Sequence, residues 1–166
     1  MASFPSRARK MQRKNQKGFS LIELLIVVTI IGIIASIALP NLLASRRAAN
    51  EASAESSMRT IASCEVTYQY TYGGGYFTDL TNLGTKTLTD SVLSSGTKSG
   101  YTFVFNPEAG PPAQFWGYAV PVQTSGVGQT GSRRFGMIED NVLRGDTNLA
   151  IPADAAAVKA MNPVGN

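Results

Sequence analysis

The chain contains, from residue 18, the stretch Gly18-Phe19-Ser20-Leu21-Ile22-Glu23-Leu24, after which the residues stay almost entirely apolar as far as Leu39. As a helix, residues 19–39 would be about 31 Å long, which matches the roughly 30 Å hydrocarbon core of a bilayer. One acidic residue, Glu23, interrupts this apolar stretch. The pattern therefore predicts a membrane-spanning helix with a single carboxylate near its start.

The segment before this helix carries positive charge only. By the positive-inside rule, it predicts a single-pass protein whose N-terminus stays in the cytoplasm. Without this segment, residues 19–166 hold nine basic and eleven acidic residues, so the formal charge changes from +4 to −2. The pI of 9.4 is therefore weak support for nucleic-acid binding. The six basic residues are Arg7, Arg9, Lys10, Arg13, Lys14 and Lys17.

The position of Gly18 predicts an unusual processing event. An ordinary secretory signal has a shorter apolar region, and its small-residue cleavage site follows that region. Here the small residue precedes the apolar stretch. Cleavage after Gly18 would remove the charged leader, keep the apolar helix and create a mature chain that begins with Phe19.

Glu23 would be the fifth residue of that mature chain. A carboxylate in hydrocarbon costs at least a few kcal/mol and needs a partner. The new α-amino group of Phe19, about one helical turn away, would supply one. The alternative is that Glu23 only extends to the nearby membrane interface.

The stretch from Gly18 to Leu24, continued by residues 27–35 and Pro40, closely resembles the class III signal of type IV prepilins and type II secretion pseudopilins. The resemblance covers about a quarter of the chain. It implies that a prepilin peptidase cuts the Gly18–Phe19 bond and methylates the Phe19 amine. It also implies that Glu23 pairs with that amine, its own or a neighbour's, to register incoming subunits.

Gly32 and Pro40 are weak points for the helix, since glycine is a poor helix former and proline lacks a backbone donor. The resemblance implies local melting there in an assembled filament, and the alternative is a simple kink that lipid tolerates. Arg46 and Arg47 follow the span and are expected at its outer interface. They are candidates to bind lipid headgroups or neighbouring subunits, or are simply solvated.

Residues 41–70 contain no glycine or proline, so the helix is expected to continue until Gly73-Gly74-Gly75 stops it. Apolar residues at helical spacing predict one face that packs on a sheet. That predicted face consists of Met58, Ile61, Ala62, Val66 and Tyr70.

The remaining chain predicts a small antiparallel meander. Alternating β-formers indicate strands at 101–105, 115–120, 133–138 and 142–144, the first of them ended by Asn106-Pro107. The fold class is therefore α+β, with a long N-terminal helix packed against a small antiparallel sheet, the pilin fold. A short helix is expected within 153–161, and the final five residues are expected to fray.

The chain divides in sequence into six parts. They are the leader 1–18, the transmembrane or filament-core helix 19–39, its amphipathic continuation 40–72, a connecting region 73–100, the sheet 101–144 and the C-terminal tail 145–166.

The residues argue against catalysis. The chain has no histidine, which removes His-based acid–base chemistry and most zinc sites, and no enzyme activity or cofactor is expected. Cys64 is the single cysteine, so it is expected to be a buried small residue, with a reactive thiol or half of an intermolecular disulfide as the alternatives. Calcium stays as a minor alternative, because the major pseudopilin of type II secretion binds it in a C-terminal loop. Its candidate oxygen donors are Asp140, Asp146 and Asp154.

These observations predict a structural prepilin subunit for adhesion, twitching motility or DNA uptake. Its expected partners are copies of itself in a helical filament, the prepilin peptidase, an inner-membrane assembly platform with its ATPase, and the bilayer before assembly. Nucleic acid is a candidate partner only of the assembled filament. The chain is expected in the bacterial inner membrane and then in a surface pilus. One alternative is a pseudopilin in a periplasmic pseudopilus, and another is a monomeric membrane-anchored binding domain.

Overall fold

One helix of 51 residues, α1 (Leu21–Thr71), occupies the first third of the part of the chain that the structure describes. The structure is a computed structural model and describes residues 18–165. Two compact units meet between Leu39 and Pro40. We call the described part of the first, residues 18–39, the N-terminal unit, and that of the second, residues 40–165, the C-terminal unit.

The N-terminal unit is helical from Leu21 onward, and its apolar side chains are almost all exposed. Within the C-terminal unit, α1 buries one face only. The glycine run ends the helix, because Gly74 and Gly75 adopt positive φ and the N–H groups of Gly73 and Gly75 donate to the carbonyls of Tyr68 and Gln69.

Six strands form one antiparallel sheet in which every strand pairs with its neighbour in sequence. This confirms the predicted α+β class and its antiparallel sheet. The strands are β1 (Thr97–Lys98), β2 (Tyr101–Glu108), β3 (Gln114–Pro121), β4 (Arg134–Ile138), β5 (Arg144–Asp146) and β6 (Asn162–Pro163).

Three short helices complete the C-terminal unit: α2 (Leu80–Thr85), α3 (Ser91–Ser94) and α4 (Ala155–Lys159). Each begins with an aspartate whose side chain accepts a hydrogen bond from a backbone N–H in the first turn, at 2.7 Å in all three cases. These aspartates are Asp79, Asp90 and Asp154. Such caps satisfy backbone donors that a helix leaves unpaired at its start.

The core lies between α1 and the sheet. β2 buries every second residue, so that Tyr101, Phe103 and Phe105 face the helix. The sheet needs a glycine opposite Phe105, since a Cβ on Gly117 would lie 2.7 Å from that ring. The other buried side chains of this core include Met58, Ile61, Leu83, Leu93, Phe115, Phe135 and Met137.

The prediction for the apolar face of α1 was wrong at Tyr70, the last residue of that face. Tyr70 is 84% exposed, whereas Glu65 is fully buried among the core positions of the helix. The buried residues Met58, Ile61, Ala62 and Glu65 recur at intervals of three or one, and Tyr70, five residues after Glu65, points to a different side of the helix. Hydrophobicity alone therefore selected the tyrosine instead of the carboxylate.

Strand bounds and the C-terminal tail also differ from expectation. β2 continues through Asn106 and Pro107, because Asn106 pairs with Trp116 and Pro107 with Phe115. The strand expected at 142–144 instead spans Arg144–Asp146. The tail expected to fray contains β6, whose Asn162 pairs with Gly145 of β5. Each difference depends on a partner strand, which local sequence does not reveal.

The connection between β3 and β4 is attached to α1 by a ladder of polar contacts. Arg47 donates to Gln129 at 3.0 Å, and Asn50 donates to the carbonyl of Thr130 at 2.9 Å. The next residue, Glu51, accepts from the Ser132 N–H and hydroxyl, each at 2.7 Å, and from Arg133. Residues 122–133 are thus held along the side of α1.

Candidate assembly segment at the start of the helix

The start of α1 carries one half of a capping box, the contact of the Glu23 side chain with the Ser20 backbone, and we use the name capping box for this contact. The Ser20 N–H donates to Oε2 of Glu23 at 2.9 Å, and the Ser20 carbonyl accepts from the Leu24 N–H at 3.3 Å. A glutamate at the third helical position commonly reaches back to the residue before the helix in this way. The contact satisfies a backbone donor at the helix start and gives Glu23 a partner within its own chain.

This contact also directs the Glu23 carboxylate toward the proposed cleavage site. The Ser20 nitrogen, which Glu23 binds, is one residue from the Phe19 nitrogen. In the uncut chain the Phe19 nitrogen belongs to a neutral amide. Cleavage after Gly18 would convert it into an ammonium group one residue from a carboxylate that already folds back to this end of the helix.

The surface of the N-terminal unit is apolar on all sides. Its large side chains are mostly more than half exposed, and Leu21 is 83% exposed. Among residues 18–165, α1 is the one helix long and apolar enough to span a membrane by length and composition. A helix that is apolar all round is stable only when lipid or other protein covers it.

Other expectations for this segment stay predictions. The helix assignment runs without a break through Gly32 and Pro40, and melting at these positions concerns the assembled filament. The basic residues of the leader, Lys17 and those before it, lie outside the described residues.

Glu65 is a second carboxylate of α1 that sequence analysis did not single out. Its Oε2 accepts from the Thr78 N–H at 3.0 Å, and its Oε1 is buried with no hydrogen-bond partner among the described residues. Burial raises the pKa of Glu65 to about 7, although the Thr78 hydrogen bond opposes this change. The sequence did contain a signal for this buried carboxylate, because Glu65 follows the buried Ala62 by three residues and so lies on the same face of the helix.

The candidate calcium ligands each have a partner within the chain. Asp140 forms an ion pair with Arg144, which lowers the pKa of Asp140. Asp146 accepts from Arg134 at 3.1 Å, and Asp154 caps α4. Within residues 18–165, no three side chains of the metal-binding types lie close enough together to hold an ion.

Cys64 is half-buried and its thiol donates to the carbonyl of Leu88 at 2.8 Å. Burial, with the neighbouring Glu65 charge, raises the pKa of the thiol. The thiol is therefore protonated and takes part in holding the segment after α2 against α1.

The Ser20–Glu23 capping box is the functional feature that sequence reasoning missed. Serine followed three residues later by glutamate, directly before an apolar run, was the signal that was present. The cost of a charge in an apolar helix favours a charged partner, whereas the partner that Glu23 has in the structure is a local backbone N–H.

Comparison with known proteins identifies the same segment. Residues 13–39 match the family model of the prokaryotic N-terminal methylation motif. Over 38 residues the chain is 60% identical to the type IV wide pilus major component PilA4 of Thermus thermophilus, covering 23% of this chain and 29% of that protein.

Two further relatives carry the name type II secretion system core protein G. That of Aeromonas hydrophila is 40% identical over 48 residues, 29% of this chain and 34% of the relative. That of Klebsiella michiganensis is 44% identical over 36 residues, 22% of this chain and 25% of the relative. The chain thus spans about a third or less of each curated relative it matches, and no solved structure matches it.

The matched residues include Gly18, Phe19, the capping box and the exposed apolar helix as far as Leu39. The N-terminal segment of this chain therefore matches the prokaryotic N-terminal methylation motif and is similar to segments of a type IV pilus component and of type II secretion system core proteins.

Proposed function

We propose that this chain is the precursor of a structural subunit of a type IV pilus. A prepilin peptidase cleaves the Gly18–Phe19 bond and the new Phe19 amine is methylated. The mature helix remains in the inner membrane until an assembly platform and its ATPase transfer it into a helical filament of identical subunits. The filament acts in adhesion, twitching motility or DNA uptake, and the subunit catalyses no reaction.

The observation that carries this proposal is the position of Glu23. Its carboxylate binds the backbone one residue beyond the scissile bond, at the start of an apolar helix. Cleavage creates a positive charge at that place, and the carboxylate provides the counter-charge. In a bilayer or a filament core, where water is scarce, such a pair is strongly favoured over either charge alone.

The exposed apolar surface supports the same proposal. Leucine, isoleucine and valine side chains that are exposed in the isolated chain are suited first to lipid and then to the same helix of neighbouring subunits. A subunit that moves from membrane to filament exchanges one apolar environment for another, so the transfer does not require apolar surface to enter water.

The test is mass spectrometry and electron microscopy of material sheared from the surface of cells that express the chain. We expect a mature chain that begins with N-methylated Phe19 and long fibres that contain it. Recovery of a chain that retains its basic leader, with no polymer, would refute the proposal. A correctly processed chain that stays monomeric in the membrane would indicate a membrane-anchored binding domain.

A type II secretion pseudopilin is the second candidate, because two of the relatives are named as core protein G of that system. In that case the filament is a short periplasmic pseudopilus and no long surface fibre forms. A rise in melting temperature on addition of calcium, reversed by a chelator, would favour this candidate. Substitution of Asp140, Asp146 or Asp154 would then identify the ligands.

A further inference from the structure

Arg46 is exposed and has no partner among residues 18–165, in contrast to its neighbour Arg47. Arg47 donates to the side chain of Gln129 and, at 3.4 Å, to the carbonyl of Leu43. Within residues 18–165, Arg46 forms neither a hydrogen bond nor an ion pair, and it is exposed. It therefore has a full charge available for a ligand outside the chain.

A loop with an exposed apolar tip lies beside Arg46. The contacts of Arg47 with Gln129 and of Asn50 with Thr130 hold this loop, residues 122–130, against α1. Its tip residue Val127 is 81% exposed and shares a shallow hollow with Leu43 and Arg46. The loop and the free cation thus form one surface, which we call the loop patch.

Chain distance places the loop patch close to the end of the apolar stretch. Leu43 is only four residues after Leu39, which amounts to about 6 Å in a helix and at most about 14 Å for a fully extended chain. The polar interface on each side of a bilayer is roughly 5–8 Å thick. If residues 19–39 span the membrane, Leu43 and Arg46 are at or just outside the headgroups.

The two segments that contribute to the loop patch, residues 24–50 and 109–138, contain basic but no acidic residues. The next carboxylate along α1, Glu51, is buried and already paired with Arg133. An exposed arginine beside the exposed Val127 and the half-buried Leu43 is the composition that binds an anionic lipid interface.

We propose that, before assembly, the loop patch binds the anionic phospholipid headgroups around the span, with Arg46 on a phosphate and Val127 inserted at the interface. This rests on the membrane-anchored precursor of the proposed function. The contact holds the C-terminal unit at the bilayer surface through the 122–130 loop, in addition to the helix itself. Extraction into a filament must break it.

The test is hydrogen–deuterium exchange of the full chain in nanodiscs, at one copy per disc. Exchange of peptides that cover 122–130 is compared between discs of phosphatidylcholine alone and discs with added phosphatidylglycerol. We expect about fivefold slower exchange with the anionic lipid, the factor that one arginine near a charged membrane provides. Exchange of peptides within 21–39 should stay slow in both kinds of disc.

Two variants and a matched control sharpen this test. Arg46→Glu and Val127→Asp should each abolish the dependence on anionic lipid, while the melting temperature shows that the variant is still folded. Val92→Asp, which changes an exposed valine of α3 elsewhere in the C-terminal unit, should leave the dependence unchanged.

The outcomes separate this proposal from the proposed function. Equal exchange of the loop in both lipids, with 21–39 protected, would refute lipid binding and leave the anchor intact. Rapid exchange of 21–39 would refute the anchor itself. Protection of the loop that requires two copies per disc, whatever the lipid, would assign the loop patch to a second subunit and overturn the proposal.

Discussion

The N-terminal and C-terminal units use the same helix in opposite ways. In residues 21–39 the apolar side chains are exposed on every side, whereas in the C-terminal unit one face of α1 is buried against the sheet. The exposed apolar surface of residues 21–39 is stable only when lipid or another protein covers it, whereas the buried face of α1 in the C-terminal unit is covered by the sheet of the same chain. An apolar sequence therefore predicts that its side chains will be shielded from water, but it does not specify whether lipid, another subunit or the same chain shields them.

The three glutamates that face these environments make the contrast specific. Glu23 accepts one backbone hydrogen bond at an exposed helix start, and Glu51 accepts three hydrogen bonds from Ser132 and Arg133. Glu65 is fully buried, and one of its oxygens has no hydrogen-bond partner in the part of the chain that the structure describes. The carboxylate that the fold satisfies, Glu51, has a lowered pKa, whereas the incompletely satisfied Glu65 has a raised one.

The largest expected effect is at Glu23. We expect Glu23→Ala and Glu23→Gln to leave leader cleavage intact and to abolish filaments, as measured by electron microscopy and by blotting of sheared material. Glutamine keeps an oxygen that can accept from the Ser20 N–H but carries no charge. Loss of filaments in both variants therefore assigns the effect to charge, and normal filaments in Glu23→Gln would assign it to the capping box.

The next effect contrasts two isoleucines of α1. Ile61→Ala removes a fully buried side chain and should lower the free energy of unfolding of the C-terminal unit by about 2–5 kcal/mol. The matched change Ile30→Ala, at a residue that is 52% exposed, should alter it by less than about 0.5 kcal/mol. Denaturant unfolding of the full chain in detergent, followed by the single tryptophan Trp116, measures both. Equal effects would contradict the division into two units.

Glu65 should make stability depend on pH. Its pKa of about 7 in the folded chain exceeds the ordinary value of 4.5, so between these values the folded state binds more protons than the unfolded state. The stability that this group contributes is fully present below pH 4.5 and is lost as pH rises to about 7, a change on the order of 3 kcal/mol. Glu65→Gln should remove this dependence when unfolding is measured from pH 4.5 to 8, and an unchanged profile would contradict it.

The smallest expected effect is at Glu51. Its pKa shift is opposite in sign to that of Glu65. Burial would raise the pKa of Glu51, but the hydrogen bonds from Ser132 and Arg133 outweigh it and hold the pKa below 4.5. Its contribution is present above the unfolded pKa and is lost as pH falls through the folded value. Glu51→Gln should cost about 2 kcal/mol at pH 7. Glu55→Gln, which changes a partly exposed partner of Arg133, should cost less than about 1 kcal/mol.

The fold could be predicted where the hydrophobic pattern is long or where the residues have strong conformational preferences. The apolar run, the glycines after α1 and the β-formers of β2 and β3 each act locally, and they were sufficient to predict the α+β class. Three predictions were wrong: that Tyr70 is buried, that β2 ends before Asn106, and that the last residues fray. Each depends on contacts with residues distant in sequence. The capping box was predictable, because Ser20 and Glu23 are only three residues apart.

The sequence by itself determined the candidate assembly segment: a basic leader, Gly18-Phe19, one carboxylate and an apolar run long enough to span a bilayer. All of these features act through local spacing and transfer from water, which need no tertiary contact. Only the tertiary structure decided that Glu51 pairs with Arg133 whereas Glu65 accepts a single hydrogen bond from the Thr78 N–H, and that the 122–130 loop lies beside Arg46. Those arrangements join residues that are far apart in the chain, and they depend on which side chains the packed helix and sheet bring together.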